Sequence, residues 1–342
     1  MANVAIVVTN ACSPDPRVER HAKWLSELGH NVIIHAWDRK KLHPTQETKN
    51  GYQIFRHGPV LSEKNNLFQI WNSKKKFLSN LKINADLIVL NDSDTYGVKF
   101  NCKMILDMHD LSHSWPLMKG NSILHRIASN LMLRRCKKLL RKSDLILTSS
   151  PGITKWIKSL GYNSHTVMNY RTTVSSTNTR NKKAVGYFGR IRNTESIQKL
   201  IFAADKVDFK VILAGNGQCV EEILSDFPNV DYRGGFNEED LDILMKEISV
   251  MYAMYPPNHL NIKQGAIAVK MLDAAAYGIF SVVSMDTPMA IFGEENEICL
   301  SADYYDVDDI ADAIKKASQI SVKKQFKEDR DVFIELIESL EF

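Results

Sequence analysis

The chain of 342 residues carries only five cysteines, at positions 12, 102, 136, 219 and 299, with no Cys-x-x-Cys spacing among them. An odd and scattered set builds neither a disulfide framework nor a structural zinc site, and a reducing cytoplasm is the simplest compartment for it. Long apolar runs are missing as well, none approaching the roughly 18–20 residues that a membrane span needs. The opening Met1-Ala2-Asn3-Val4-Ala5-Ile6-Val7-Val8 has no positively charged start and reads as a first strand, not as a signal peptide. Charge of one sign is scarce: 44 Lys and Arg against 40 Asp and Glu leave a net +4, too little for a dedicated nucleic-acid binder. What is present is ordinary, with 44% hydrophobic and 25% charged residues, and this composition excludes global disorder. At roughly 100–200 residues per domain, the length suggests two domains in a soluble, cytoplasmic protein.

Short β-branched runs alternate with amphipathic helical stretches along almost the whole chain. Strands are expected at 3–9, 31–36, 86–91, 103–107, 144–149 and 165–168, each a near-continuous apolar run of the kind that parallel strands buried on both faces require. Helices are expected between them, clearest from Pro16 to Leu28, with proline in the first turn and Gly29 as the stop. Residues 122–142 and 152–160 follow the same logic. The stretch 171–183 is almost devoid of apolar residues and is the best linker candidate. Beyond it the alternation restarts, with strands near 184–188, 210–214, 249–255 and 280–284 and helices near 195–206, 238–247, 266–277 and 306–317. An amphipathic helix over about 322–340 ends the chain. The expected organisation is therefore an α/β protein of two doubly wound, Rossmann-like domains, 1–170 and 184–321, with a C-terminal helix in 322–342 packing back towards the first. In such sheets ligands sit at the carboxyl ends of strands, which directs attention to the βα loops.

Several loops hold chemistry. After the first strand, Asp15-Pro16-Arg17 opens a helix, so that Arg17 can meet an anionic group, or Asp15 can simply cap the helix while Arg17 is solvated. Asp107-Met108-His109-Asp110 and His113 imitate a zinc-protease signature, but the first histidine directly follows a strand and Pro116 follows the second, so the long helix that such a site needs is excluded. A single imidazole at a strand end, oriented by Asp107 or Asp110, is the remaining functional reading, against a loop histidine satisfied by its neighbours. Asp92-Ser93-Asp94 could hold a divalent metal on a diphosphate or form a turn with side-chain caps. In the second half, a strand runs into Gly189-Arg190-Ile191-Arg192, where glycine admits a close backbone approach and guanidinium forks suit phosphate oxygens. Gly215-Asn216-Gly217 is part of a dinucleotide fingerprint only. Lys270 and Asp273 stand one turn apart at the start of a small-residue helix, which is also the spacing of a plain surface ion pair.

In this order and over nearly the whole chain, these segments resemble glycosyltransferases of family four, retaining enzymes of the two-domain GT-B fold. Asp15-Pro16-Arg17-Val18, Asn91-Asp92-Ser93-Asp94-Thr95, Leu106-Asp107-Met108-His109-Asp110-Leu111, Ser143-Asp144, Val167-Met168-Asn169, Gly189-Arg190, Gly215-x-Gly217 and Lys270-x-x-Asp273 with Gly278 carry the resemblance. It implies a nucleotide-diphosphate sugar as donor and a glycan or lipid-linked acceptor, with chemistry in the cleft between the domains and no nucleic acid involved. Donor binding falls on Gly189, Arg190, Arg192, Asn216, Gly217, Lys270 and Asp273, the last on the acid that contacts ribose. Catalysis falls on His109, Asp107, Arg190 and Lys270, with Asp15, Arg17 and Asp94 on the acceptor side and neither metal nor separate cofactor required. Where the family's first motif acid would stand, this chain has Gly265, and Ala268 replaces a proline. That departure keeps two rivals open, a non-catalytic nucleotide-sugar-binding partner of another transferase and a nucleotide-sugar epimerase of the same fold. Finally, the cations clustered near the end of helix 122–142 suggest either complements to the helix dipole or a peripheral contact with an anionic membrane, while Leu124, Ala128, Met132, Cys136 and Leu140 are expected to pack on the sheet.

Overall fold

A computed structural model describes residues 1–62, 66–118, 120–174 and 182–342. Residues 175–181 of the expected linker thus lie outside the described residues. The chain divides into two compact units, Met1–Met168 together with Asp329–Phe342, and Asn169–Glu328.

The first unit is built on eight strands: β1 (Asn3–Val8), β2 (Asn31–Trp37), β3 (Gln46–Lys49), β4 (Tyr52–His57), β5 (Leu87–Asn91), β6 (Lys103–Met108), β7 (Leu145–Thr148) and β8 (His165–Thr166). They lie in the order β3-β4-β2-β1-β5-β6-β7-β8, all parallel except β3, which pairs antiparallel with β4. Because strand side chains alternate between faces, Val4, Ile6 and Val8 enter one apolar layer and Ala5 and Val7 the other. Both faces are covered, which is why the strands read as unbroken apolar runs. Chain order reverses at β1, so the loops after β1 and β5 flank the switch point of this sheet.

The helix Pro16–Glu27 is capped by the Asp15 side chain, which accepts from the Val18 amide, and Gly29 follows it in the left-handed region at φ 83°. Its inner face meets the last helix of the chain, Arg330–Glu338, where the His21 ring stacks on Phe333 at 4.4 Å. That last helix is shorter than the expected 322–340. The backbone of 321–326 is already committed elsewhere: Ser321 bridges Ile279, the Val322 amide donates to the Gly278 carbonyl, and Phe326 exchanges bonds with Thr173. The helix Ile123–Lys142 also departs from expectation. Cys136, Leu139 and Leu140 are buried, but the stripe does not reach the core along its first half, where Leu124 is 76% exposed.

The second unit carries β9 (Ala184–Phe188), β10 (Lys210–Ala214), β11 (Asp231–Tyr232), β12 (Val250–Tyr252), β13 (Phe280–Ser284) and β14 (Cys299–Ala302). The order β11-β10-β9-β12-β13-β14 is entirely parallel, the doubly wound arrangement of a mononucleotide fold. Val185 and Tyr187 of β9 point into one apolar layer while Ala184 and Phe188 point into the other. Here the switch point lies between β9 and β12, and Gly189 is the first residue beyond β9.

Candidate functional site

In the second unit the loops after β9 and β10 are in backbone contact. The Gly189 amide donates to the Ala214 carbonyl at 2.9 Å, and the Ile191 amide to the Asn216 carbonyl at 3.1 Å. A Cβ at Gly215 would collide with the Gly189 carbonyl, and one at Gly217 with the Ile191 carbonyl. The Gly-Asn-Gly run is therefore demanded by loop-on-loop packing, independently of any ligand. Ile191 is buried, which leaves Arg190 and Arg192 exposed on either side of it. Burial and the charge of Arg192 depress the Arg190 guanidinium, and no carboxylate offsets them.

Lys270 completes this cluster from the helix Val269–Ala276. Only 8% of it is exposed, and its ammonium has no hydrogen-bond partner among the described residues. Nζ sits 3.0 Å above the Tyr187 ring centroid and would lie 3.7 Å from a Cβ placed on Gly189. Burial holds it well below the usual lysine range. The same helix begins without a capping side chain, since Ala268 occupies the cap, so its first-turn amides add to the positive potential. A buried amine without a hydrogen-bond partner is costly, and in a native fold such a group calls for an explanation.

Asp273, one turn further along the same helix, is paired. Its Oδ1 accepts from Arg171 Nε at 3.1 Å, and the same guanidinium pairs with Glu238. Gly265 has φ 96°, just after the short helix Leu260–Lys263. A glutamate at that position would be forced into the left-handed region, which accounts physically for the glycine.

In the first unit the sheet brings together residues far apart in sequence. Asp107, wholly buried at the end of β6, accepts from Arg17 Nε at 3.1 and 3.0 Å and from Nη2 of the same guanidinium at 2.6 Å. His109 Nε2 lies 3.1 Å from Asp107 Oδ2, and His21 Nδ1 is equally close to the same oxygen. Arg17 also donates to the Val167 carbonyl at 2.6 Å. Asp107 would be raised by burial, but the charges of Arg17, His109 and His21 hold it well below the usual carboxylate range. Burial pulls His109 down, yet Asp107 and Asp92 outweigh it and raise the imidazole to about 9. His21, with burial and Arg17 against it, falls to about 4. Asp92, at φ 60°, accepts from the His109 and Asp110 amides at 2.7 and 2.9 Å and so fixes the loop. Burial raises this carboxyl to about 7, in spite of His109. Across the switch point, Asp94 Oδ2 accepts from Thr9 and lies 3.5 Å from Lys74 Nζ. Both carboxylates of Asp92-Ser93-Asp94 are thus engaged by protein donors. His113 is buried against Trp156 and depressed to about 4 by burial, apart from the His109 cluster.

One prediction follows from these opposed environments. Imidazole NMR should find His109, assigned through His109→Gln, titrating near 9 while His21 titrates near 4. A His109 midpoint at or below the ordinary 6.5 would contradict the Asp107 pairing.

No family model matches the sequence, and neither does any curated protein. Solved structures do resemble it. The sucrose-phosphate synthase of Thermosynechococcus elongatus aligns with a TM-score of 0.72 at 15% identity, over 99% of this chain and 96% of that one. TarM of S. aureus, solved with fondaparinux, alpha-GlcNAc-glycerol and UDP, gives 0.68 at 10% identity over 99% of both chains. HepE of Anabaena, solved with UDP and glucose, gives 0.61 at 13% identity, over 99% of this chain and 97% of that one. The chain has the GT-B fold.

Within this GT-B chain, Gly189, Arg190, Arg192, Asn216, Gly217 and Lys270 come together at the ends of β9 and β10, whereas Asp273 is turned to Arg171. Arg17, Asp107 and His109 form a second cluster, Asp15 caps its helix, and Asp94 stands at the switch point of the first sheet. Sequence reasoning missed His21, Arg171 and Tyr187. Arg171 sits in a polar stretch without motif, and a histidine on a helix's buried face carries no local signal. Tyr187 does carry one, standing two residues before Gly189 as the one side chain of β9 with a polar group.

Proposed function

We propose that the chain is a retaining glycosyltransferase of family four that moves a sugar from a nucleotide-diphosphate sugar to a glycan or lipid-linked acceptor in surface polysaccharide or glycoconjugate assembly. The buried, unpartnered ammonium of Lys270 beside Gly189 carries this reading, because a diphosphate is the anion that a glycine turn, two guanidinium groups and an uncapped helix start would jointly hold. As the donor's glycosidic bond breaks, negative charge grows on the leaving diphosphate. Lys270, Arg190 and Arg192 meet that charge without reorganising, which is where the rate advantage arises. Asn216 and Gly217 shape the loop under the phosphates, and Asp273, steadied by Arg171, is assigned the ribose hydroxyls. His109 is assigned a contact with the donor sugar, the role the resemblance gives it. Asp107 and Arg17 are positioning residues, since the carboxylate is wholly buried and reaches the reaction only through the imidazole. Three cations supply the charge that a metal would otherwise bring, so transfer is expected to persist in EDTA.

The experiment is incubation with a panel of nucleotide sugars, following release of nucleoside diphosphate and appearance of glycosylated acceptor. Arg190→Ala is expected to lower kcat by about 10²-fold, the usual loss for one preorganised electrostatic donor. Unchanged kcat in Arg190→Ala, or activity lost in EDTA and restored by Mn²⁺, would contradict the assignment.

A further inference from the structure

The outward face of the helix Ile123–Lys142 changes character half-way along. Ile123 and Leu124 are each 76% exposed, and Ile127 and Leu131 stand out on the same side at 51% and 47%. On the following turns that face is continued by the exposed Arg134, Lys137, Lys138 and Arg141. The neighbouring helix Leu67–Asn80 repeats the pattern, with exposed Phe68 and Trp71 followed by exposed Lys75 and Lys76. Arg135 joins the two helices by lying 5.6 Å from the Trp71 ring centroid. Neither helix contains a single Asp or Glu. The patch adjoins the one-turn helices Ser93–Thr95, which contains Asp94, and Ser112–Ser114, which follows His109, at the carboxyl ends of β5 and β6.

Large aliphatic side chains in such contiguity are rare on a monomer's surface. A nucleic acid would use the cations but gains nothing from Ile123, Leu124, Ile127 and Leu131, whereas a bilayer interface uses both: apolar tips enter the acyl boundary and Lys and Arg meet anionic headgroups. We infer that this two-helix face of the first unit is a membrane-docking surface selective for anionic lipid. The inference stands independently of the transfer reaction, since it rests on exposure and charge away from the second unit.

The test is sedimentation of the full chain with vesicles of phosphatidylglycerol and phosphatidylcholine, against phosphatidylcholine alone. Binding is expected only with the anionic vesicles, weakening as salt rises from about 0.01 to about 0.15 M and the screening length shrinks from about 30 to about 8 Å. Lipids brominated near the headgroup end of the chains should quench Trp71. Two variants separate the contributions: Leu124→Gln with Ile127→Gln and Leu131→Gln should abolish the quenching, and Arg134→Gln with Lys137→Gln, Lys138→Gln and Arg141→Gln should weaken sedimentation at least about a hundredfold. All these side chains are exposed, so circular dichroism and melting should be unchanged in both variants. The inference is overturned if the wild type fails to sediment with anionic vesicles at low salt. It is equally overturned if both variants bind as the wild type does, or if the apolar variant abolishes only self-association or nucleic-acid binding.

Discussion

Asp107→Ala should destabilise the first unit by about 3–5 kcal/mol, the cost of stripping one partner from a buried ion pair. The side chain is fully enclosed, and three cationic or titratable groups converge on it. Removing it leaves the Arg17 guanidinium, 5% exposed, with the Val167 carbonyl but without the carboxylate that matches its fork. His109 loses the charge that chiefly keeps it protonated, so its titration shifts downward, with Asp92 left to oppose burial. A single domain has only about 5–15 kcal/mol to lose, so the first unit should melt well ahead of its wild-type temperature. The double replacement Arg17→Met with Asp107→Leu removes both charges and should recover part of the loss, as apolar substitutes for buried pairs commonly do. Calorimetric melting of the three proteins checks this. An Asp107→Ala protein that melts like wild type would mean that the cluster contributes nothing to the fold.

Much of this fold was legible because both sheets are parallel, β3 apart, and covered on both faces, so β1, β5, β6, β9 and β13 appear as apolar runs in the sequence. The β3–β4 hairpin was missed, although Asn50-Gly51, with φ values of 48° and 85°, is the sequence signal of a tight hairpin turn. It hides within an alternation of strands and helices that suggests only parallel pairing. The terminal helix was overextended because its amphipathic pattern begins before the backbone is free to coil. For the site, Gly189-Arg190 was readable as a strand running into a glycine turn. Lys270 was named through the resemblance alone: by spacing, a lysine one turn from Asp273 reads as a surface pair, and the fold shows the amine buried on Tyr187 while Asp273 is held by Arg171. Spacing could not join Arg17 to Asp107 either, ninety positions apart.

Lys270 carries the second large effect, and its sign separates function from structure. Lys270→Met keeps an unbranched side chain of similar length and removes a buried amine that faces the Tyr187 ring without a hydrogen-bond partner among the described residues, so the second unit should be as stable as wild type or more so. Diphosphate binding should nevertheless fall by about 10²-fold, since a hydrogen bond to a charged group contributes about 1.5–3 kcal/mol. The pH dependence follows from the direction of the shift. Burial depresses the free amine, and a bound diphosphate restores its proton. Between the two values each binding event takes up one proton, and affinity declines by up to about tenfold per pH unit as pH rises. The direct measurement is therefore isothermal titration of nucleotide-diphosphate sugars into wild type and Lys270→Met, in buffers of different ionisation enthalpy. The account predicts that at least one donor binds wild type with proton uptake, and that Lys270→Met, melting no lower, loses both the affinity and the uptake. Equal donor affinity in the two proteins, or no binding by any donor, would contradict it.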